Sequence, residues 1–464
     1  MTMKAVFGFT FCLLLSFSCA LMPNNLGINY GRVGNNLPSP YQTIQLLRSM
    51  SIKNVKIYDA NPDILTILSG KNIRVSIMVT NEQISTIATN QSLADQWVQQ
   101  NILAHYPSTK IRFVLVGNEV FTIQDMQLWV HLVPAMRNIK QSLRTNNIHN
   151  IKVGTPLAMD ALESSFPPSS GKFRSDIPVN VIISLLRFLN RTRSFFFLDA
   201  YPYLAWSADP TRVGLDFALL QGGNATYVDP SSGLVYNNLL DQMVDSVVFA
   251  MRRVGFEDVR VVISETGWPH AGDIDQPGAN AYNAATYVSN LVTKMMADPP
   301  IGTPARPGVE IPTFVFSLFD ENQKPGPGTE RNWGILDNRG RPVYEVDFTG
   351  INPLNNSTTE MPRPVNNEPY KGRIWCVAVN NTGLVELGRA LDYTCGQGSG
   401  TCDELAPGRG CYEPVSVVAH ASYAFSSYWA KYRSSGASCY FGGLAVQTTI
   451  DPSHESCLFP SVLV

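Results

Sequence analysis

The chain has 464 residues, more than a single domain of about 100–200 residues uses, and 44% of them are hydrophobic, which excludes wholesale disorder. Only 16% are charged, and the formal net charge is −2, so there is no basic field to draw in nucleic acid or an anionic lipid surface. Cysteine is segregated: Cys12 and Cys19 lie near the start, and the other six (Cys376, Cys395, Cys402, Cys411, Cys439, Cys457) fall within the last 89 residues. That distribution predicts two differently stabilised domains.

Lys4 precedes an apolar run over 5–15, and small residues follow at Ser16, Ser18 and Ala20. Residues 1–20 therefore read as a signal peptide cleaved near Ala20. A membrane-spanning helix is the weaker alternative, because it needs about 20 apolar residues and Asn24 and Asn25 follow closely. Without the leader the chain keeps six cysteines, which in an oxidising compartment imply three disulfides. Zinc is the competing reading, but gaps of 18, 6, 8, 27 and 17 residues leave no C-x-x-C pair. Sequons begin at Asn90, Asn190, Asn224, Asn355, Asn356 and Asn380. The expected destination is extracellular. The final stretch, 458–464, is too short to serve as an anchor signal of the GPI type.

Short apolar runs at 26–31, 54–59, 74–80, 111–119, 151–157, 195–201, 259–265 and 313–319 alternate with helical patterns. Their continuous apolarity (Phe113, Val114, Leu115 and Val116, for example) predicts strands buried on both faces. Leu240, Met243, Val244, Val247, Met251 and Val254 recur at helical spacing and form one apolar stripe. Eight such units over 26–349 predict an α/β fold, a (β/α)8 TIM barrel. A doubly wound open sheet is the rival, but the glycine-rich phosphate loop expected of it is missing. Residues 350–373 hold Pro353, Pro362, Pro364 and Pro369 among several asparagines and read as a linker. The remainder, 374–464, is a small glycine-rich domain with a limited core, for which disulfide staples make physical sense.

In such a barrel the active site lies at the C-terminal ends of the strands. The fourth run ends in Asn118 and Glu119, and the seventh in Ser264 and Glu265. Two carboxylates delivered to one cleft suit glycoside hydrolysis, in which one protonates the leaving oxygen and the other attacks the anomeric carbon. A single such Glu more often caps a strand or pairs with an Arg; a pair is harder to dismiss. Tyr30, Tyr58, Tyr201, Tyr203, Trp206, Trp268 and Trp333 cluster at the same rim, either to stack on sugar rings or to pack the core. The loop after the eighth run carries Glu321, Lys324 and Glu330, as cleft charges or as a rim ion-pair network. His105, His131, His149, His270, His420 and His454 form no H-E-x-x-H motif, and neither a G-x-S-x-G elbow nor a P-loop occurs. No metal and no cofactor is implied. The barrel segment has no cysteine for thiol catalysis.

Four segments carry a resemblance: Gly27-Ile28-Asn29-Tyr30-Gly31, Val116-Gly117-Asn118-Glu119, Ser264-Glu265-Thr266-Gly267-Trp268-Pro269 and Phe319-Asp320-Glu321-Asn322-Gln323-Lys324-Pro325-Gly326. Together, over about 26–348, they resemble plant endo-1,3-β-glucosidases of glycoside hydrolase family 17. The resemblance implies a retaining mechanism on 1,3-β-glucan, with Glu119 as proton donor and Glu265 as nucleophile. It also implies that Asn118 contacts the sugar 2-hydroxyl, with Glu321, Lys324 and Glu330 in support. Asp199, before Ala200-Tyr201-Pro202-Tyr203, stands where relatives commonly carry Asn. The tail, with Trp375-Cys376-Val377-Ala378, Tyr393-Thr394-Cys395-Gly396, Ser422-Tyr423-Ala424-Phe425 and Cys439-Tyr440-Phe441-Gly442-Gly443, is similar to the six-cysteine carbohydrate-binding module of family 43. Spacing alone allows 15 pairings of six cysteines. The resemblance implies Cys376 with Cys439, Cys395 with Cys402 and Cys411 with Cys457.

The expectation is thus a secreted monomeric endo-hydrolase whose partner is 1,3-β-glucan, with neither nucleic acid nor a membrane anchor involved; the resemblance implies the cell wall as its place, with the vacuole as the alternative. A β-glucan transglycosylase and a non-catalytic glucan-binding wall protein are the alternatives.

Overall fold

The computed structural model describes residues 25–223, 226–350, 364, 366–380, 382–398 and 400–464. The expected leader over 1–20, the sequons at Asn224, Asn355 and Asn356, and most of the expected linker lie outside the described residues.

Nine strands form one parallel sheet: β1 (Leu26–Tyr30), β2 (Asn54–Ile57), β3 (Arg74–Val79), β4 (Lys110–Val116), β5 (Lys152–Gly154), β6 (Pro156–Ala158), β7 (Phe195–Asp199), β8 (Arg260–Thr266) and β9 (Thr313–Val315). Their order is β5-β4-β3-β2-β1-β9-β8-β7-β6. The two end strands are successive pieces of one run, separated only by Thr155. β5 bonds to β4, and β6 to β7 on the other side. The sheet therefore closes on itself through Thr155 as a (β/α)8 barrel. The single strand expected over 151–157 is in fact two pieces, because the chain changes neighbours at that residue. β4 ends at Val116 and β9, the eighth apolar run, at Val315, both earlier than expected, and the chain beyond each is free to build the cleft.

Alternation fills two layers. Met78, Phe113, Leu115, Phe195, Phe197, Val262 and Phe314 pack together inside the barrel. Val114, Val116, Phe196, Leu198 and Ile263 belong to the larger core between the sheet and the surrounding helices. Five of these helices are α1 (Pro40–Ser49), α2 (Met126–Thr145), α3 (Val179–Thr192), α4 (Leu239–Arg253) and α5 (Ala281–Met295). All but α3, which follows Pro178, start on a side-chain cap: Asp125 accepts from the amides of Gln127 and Leu128, and Asn238 accepts from Asp241 N. The expected stripe on α4 is buried from Leu240 to Met251. Asp241, Gln242 and Asp245 are buried as well, so α4 is enclosed on more than its sheet face.

In the tail, β10 (Arg373–Ala378) pairs antiparallel with both β11 (Ala445–Thr448) and β12 (Val462–Leu463). The helices α6 (Leu384–Cys395) and α7 (Val417–Tyr432) complete a small core around Ile374, Leu387, Phe425 and Trp429. Three disulfides staple it: Cys376–Cys439, Cys395–Cys402 and Cys411–Cys457. The tail touches the barrel where Ile274 N donates to Gln447 Oε1 at 2.8 Å and where Arg433 pairs with Asp275.

Candidate active site

A cleft of about 760 Å³ opens at the C-terminal ends of the strands, lined among others by Tyr58, Asn118, Glu119, Asp199, Tyr201, Glu265, Phe316, Glu321, Lys324, Glu330 and Trp333. Glu265 sits near the end of β8. Val262 faces the barrel interior and Ile263 the helices, so strict alternation would turn Glu265 outward. The ladder register shifts between Ile263 and Glu265, however. That bulge brings Glu265 back to the interior, opposite Asp199. There Oε1 accepts from Lys56 Nζ at 2.5 Å and from the Tyr58 hydroxyl at 2.6 Å, while Oε2 accepts from the Tyr201 hydroxyl at 2.6 Å. Burial pushes the Glu265 carboxyl up, but the Lys56 ammonium and the two phenols outweigh it and hold the group below the usual carboxylate range.

Glu119 is presented differently. Gly117 (φ +71°) and Glu119 (φ +48°) both adopt left-handed backbone just past β4. A side chain at Gly117 would be strained by that φ, and its Cβ would stand 2.6 Å from Val120 and 2.7 Å from Ile84. Asn81 locks the turn, donating to Asn118 O at 3.0 Å and accepting from Asn118 N at 2.8 Å. Glu119 N donates to Pro156 O at 3.0 Å. Burial, and then the Glu265 charge, raise the Glu119 carboxyl to about 7, with Lys56 opposing. The two carboxyl groups thus hold opposite charge states just below neutral pH: Glu265 ionised, Glu119 protonated.

The rim residues form one supporting group. Glu321 accepts from Val33 N at 2.7 Å, and its other oxygen lies 3.3 Å from Lys324 Nζ. It reaches that place because Gly31 has no side chain; a Cβ there would stand 2.3 Å from the carboxylate. Lys324 also lies 4.3 Å over the Phe316 ring. Burial raises the Glu330 carboxyl, against the Lys324 charge. Tyr201 packs edge-on to Trp333 at 5.0 Å, so the phenol that holds Glu265 is itself held by an aromatic wall.

Four of the aromatic residues expected at the rim are not in the cleft: Tyr203 and Trp206, and with them Tyr30 and Trp268. Tyr30 is 2% exposed, packed edge-on to Phe319, with its hydroxyl accepting from Thr43 on α1. Trp268 is fully buried among Tyr203, Trp206 and Tyr287, and its Nε1 donates to Gly278 O. These side chains fill space behind the wall, which they support without facing it. One functional residue went unrecognised in the sequence: Lys56. Its signal was a lysine in an apolar run read as buried on both faces, since a buried ammonium requires a carboxylate partner.

Residues 26–348 match the family described as Glycosyl hydrolases family 17, and residues 374–446 match the X8 domain. The chain belongs to family 17. Among its relatives, the probable glucan endo-1,3-beta-glucosidase A6 of Arabidopsis thaliana is 57% identical over 441 residues, 95% of this chain and 92% of the relative. A glucan endo-1,3-beta-D-glucosidase of Olea europaea is 36% identical over 452 residues, 97% of this family 17 chain and 96% of the relative. Among solved structures, CJP38, a beta-1,3-glucanase and allergen of Cryptomeria japonica pollen, superposes with a TM-score of 0.66 at 38% identity. The match covers 71% of this chain and all of CJP38. This family 17 chain thus shares the barrel of that glucanase and adds a stapled X8 domain after it.

Proposed function

We propose that the protein is an endo-hydrolase of 1,3-β-glucan that works with retention of anomeric configuration. Glu265 attacks the anomeric carbon to form a glycosyl-enzyme; Glu119 protonates the departing oxygen and then deprotonates the water that releases the sugar. The observation that carries this reading is the split between the two carboxyls of one cleft. Lys56, Tyr58 and Tyr201 keep Glu265 ionised as a nucleophile needs, and burial keeps Glu119 protonated as an acid needs. Asn118 Oδ1 has no partner among the described residues and lines the cleft, free to accept from a sugar hydroxyl. Phe316 and Trp333 offer apolar faces to the C–H faces of glucose rings. The relatives' printed activities supply the linkage, 1,3-β.

The X8 domain is proposed to hold the enzyme on insoluble glucan, raising its local concentration. Three disulfides support secretion to the cell wall. Among the described residues no helix is long and apolar enough to cross a membrane. A reducing-sugar assay on laminarin tests the activity: release of internal-cleavage oligosaccharides is expected, and intact polymer after prolonged incubation would leave a glucan-binding protein instead.

A further inference from the structure

Asp199 ends β7 at the mouth of the barrel. Phe195 and Phe197 on the same strand face the interior, so alternation places Asp199 there too, one step nearer the cleft. Its ladder partner is Glu265. The residue is 2% exposed and lines the cleft. Oδ1 accepts from the Ser264 hydroxyl. Oδ2 has no hydrogen-bond partner among the described residues.

The charges around it decide its state. Glu265 and Ser264 face it from β8, Lys56 from β2, Tyr58 from the residue just after β2, Tyr201 from the segment after β7, and Glu119 from the segment after β4. Lys56 is the one cation in that set, and it is committed to Glu265 at 2.5 Å. An ionised Asp199 would be a second buried anion with no cation of its own. Burial first, and then the Glu265 charge, push its carboxyl well above the usual carboxylate range, in agreement with this charge count. Once neutral, the group carries an O–H on the oxygen that Ser264 does not occupy.

We propose that Asp199 is a neutral carboxylic acid whose Oδ2–H donates to a hydroxyl oxygen of the glucosyl unit held over Glu265. The idea rests on the hydrolase reading above and adds to it a substrate-binding residue, one that supplies a donor without placing a second negative charge beside the nucleophile. When Asp199 ionises at higher pH, the donor disappears and the new charge opposes Glu265, so the alkaline fall in activity includes a second titrating group besides Glu119.

Infrared difference spectroscopy and kinetics test this together. In a Glu119→Gln background, which removes the carboxyl band of Glu119, the spectrum just below neutral pH should show the C=O stretch of a neutral carboxyl that Asp199→Asn abolishes. In the otherwise native enzyme, Asn keeps both roles, accepting from Ser264 and donating to the sugar. Asp199→Asn should therefore stay within about threefold of wild-type kcat/KM in the acid range and fall less steeply toward alkaline pH. Asp199→Leu removes the donor and should lose about 10- to 100-fold, with its melting temperature checked separately. An unchanged carboxyl band in the Asn variant would overturn the proposal, as would an Asn variant as impaired as the Leu variant. If wild-type enzyme fails to cut laminarin, the hydrolase reading falls, whereas the infrared comparison still reports the protonation of Asp199.

Discussion

Lys56 and Glu265 are 209 residues apart in sequence and meet at 2.5 Å inside the barrel, with side chains only 1% and 6% exposed. An ion pair this deeply buried is costly to break from one side, because the partner left behind is an unpaired charge. Lys56→Met should cost about 3–5 kcal/mol of stability by chemical denaturation at neutral pH. The sign with pH follows from the depressed Glu265 carboxyl: its stabilisation is present above the ordinary carboxylate range and is lost as pH falls through the folded-state value. The variant should lose that dependence. Its residual kcat/KM should also have an acid limb shifted to higher pH; a limb unmoved in the variant would count against Lys56 as the group that ionises Glu265.

Glu119 works in its protonated form, and its carboxyl is raised to about 7. Activity should therefore fall as pH rises through neutrality, since deprotonation removes the acid. Glu119→Gln should lower turnover of laminari-oligosaccharides by about 100- to 10,000-fold. Substrates with a good aryl leaving group need little protonation and should be spared most of that loss. Equal loss on both substrate types would argue against the acid role.

Glu265→Ala removes the nucleophile and should abolish turnover while leaving a cavity open to a small anion. Added azide should then restore consumption of activated substrates and yield the α-glycosyl azide, identified by NMR. Formation of the β-azide, or undiminished activity in the variant, would contradict the assignment.

The stapled tail and the cysteine-free barrel should respond differently to reduction. Cys376–Cys439 closes the longest loop of the three, with a sequence separation of 63. Replacing both of these cysteines with Ser should destabilise the tail by about 2–4 kcal/mol. Hydrolysis of short soluble oligosaccharides is expected to persist, whereas co-sedimentation with insoluble 1,3-β-glucan should drop. Loss of both together would mean that the two parts do not act as separate tools.

The barrel was legible because strands buried on both faces announce themselves as continuous apolar runs, and eight of them alternate with helical patterns. The fine geometry was not. Nothing in Val262-Ile263-Ser264-Glu265 signals the bulge that turns Glu265 inward, since alternation from Val262 points it toward the helices. The left-handed turn at Gly117 and Glu119 was likewise hidden in a run that reads as uninterrupted strand. Aromatic residues near strand ends proved ambiguous for a physical reason: a ring on the cleft side and a ring one residue on, beneath a helix, are equally apolar. Tyr58 and Tyr201 fell on the cleft side, and Tyr30 and Trp268 behind it. Lys56 was missed because its meaning lies in a partner on the far side of the barrel.

The stereochemistry of the first product tests the central claim most directly. Proton NMR during early hydrolysis of a laminari-oligosaccharide resolves the two anomers before mutarotation mixes them. Attack by Glu265 followed by attack of water assisted by Glu119 inverts the anomeric carbon twice, so the β-anomer should appear first. Initial appearance of the α-anomer would mean a single displacement by water and would contradict the role given to Glu265.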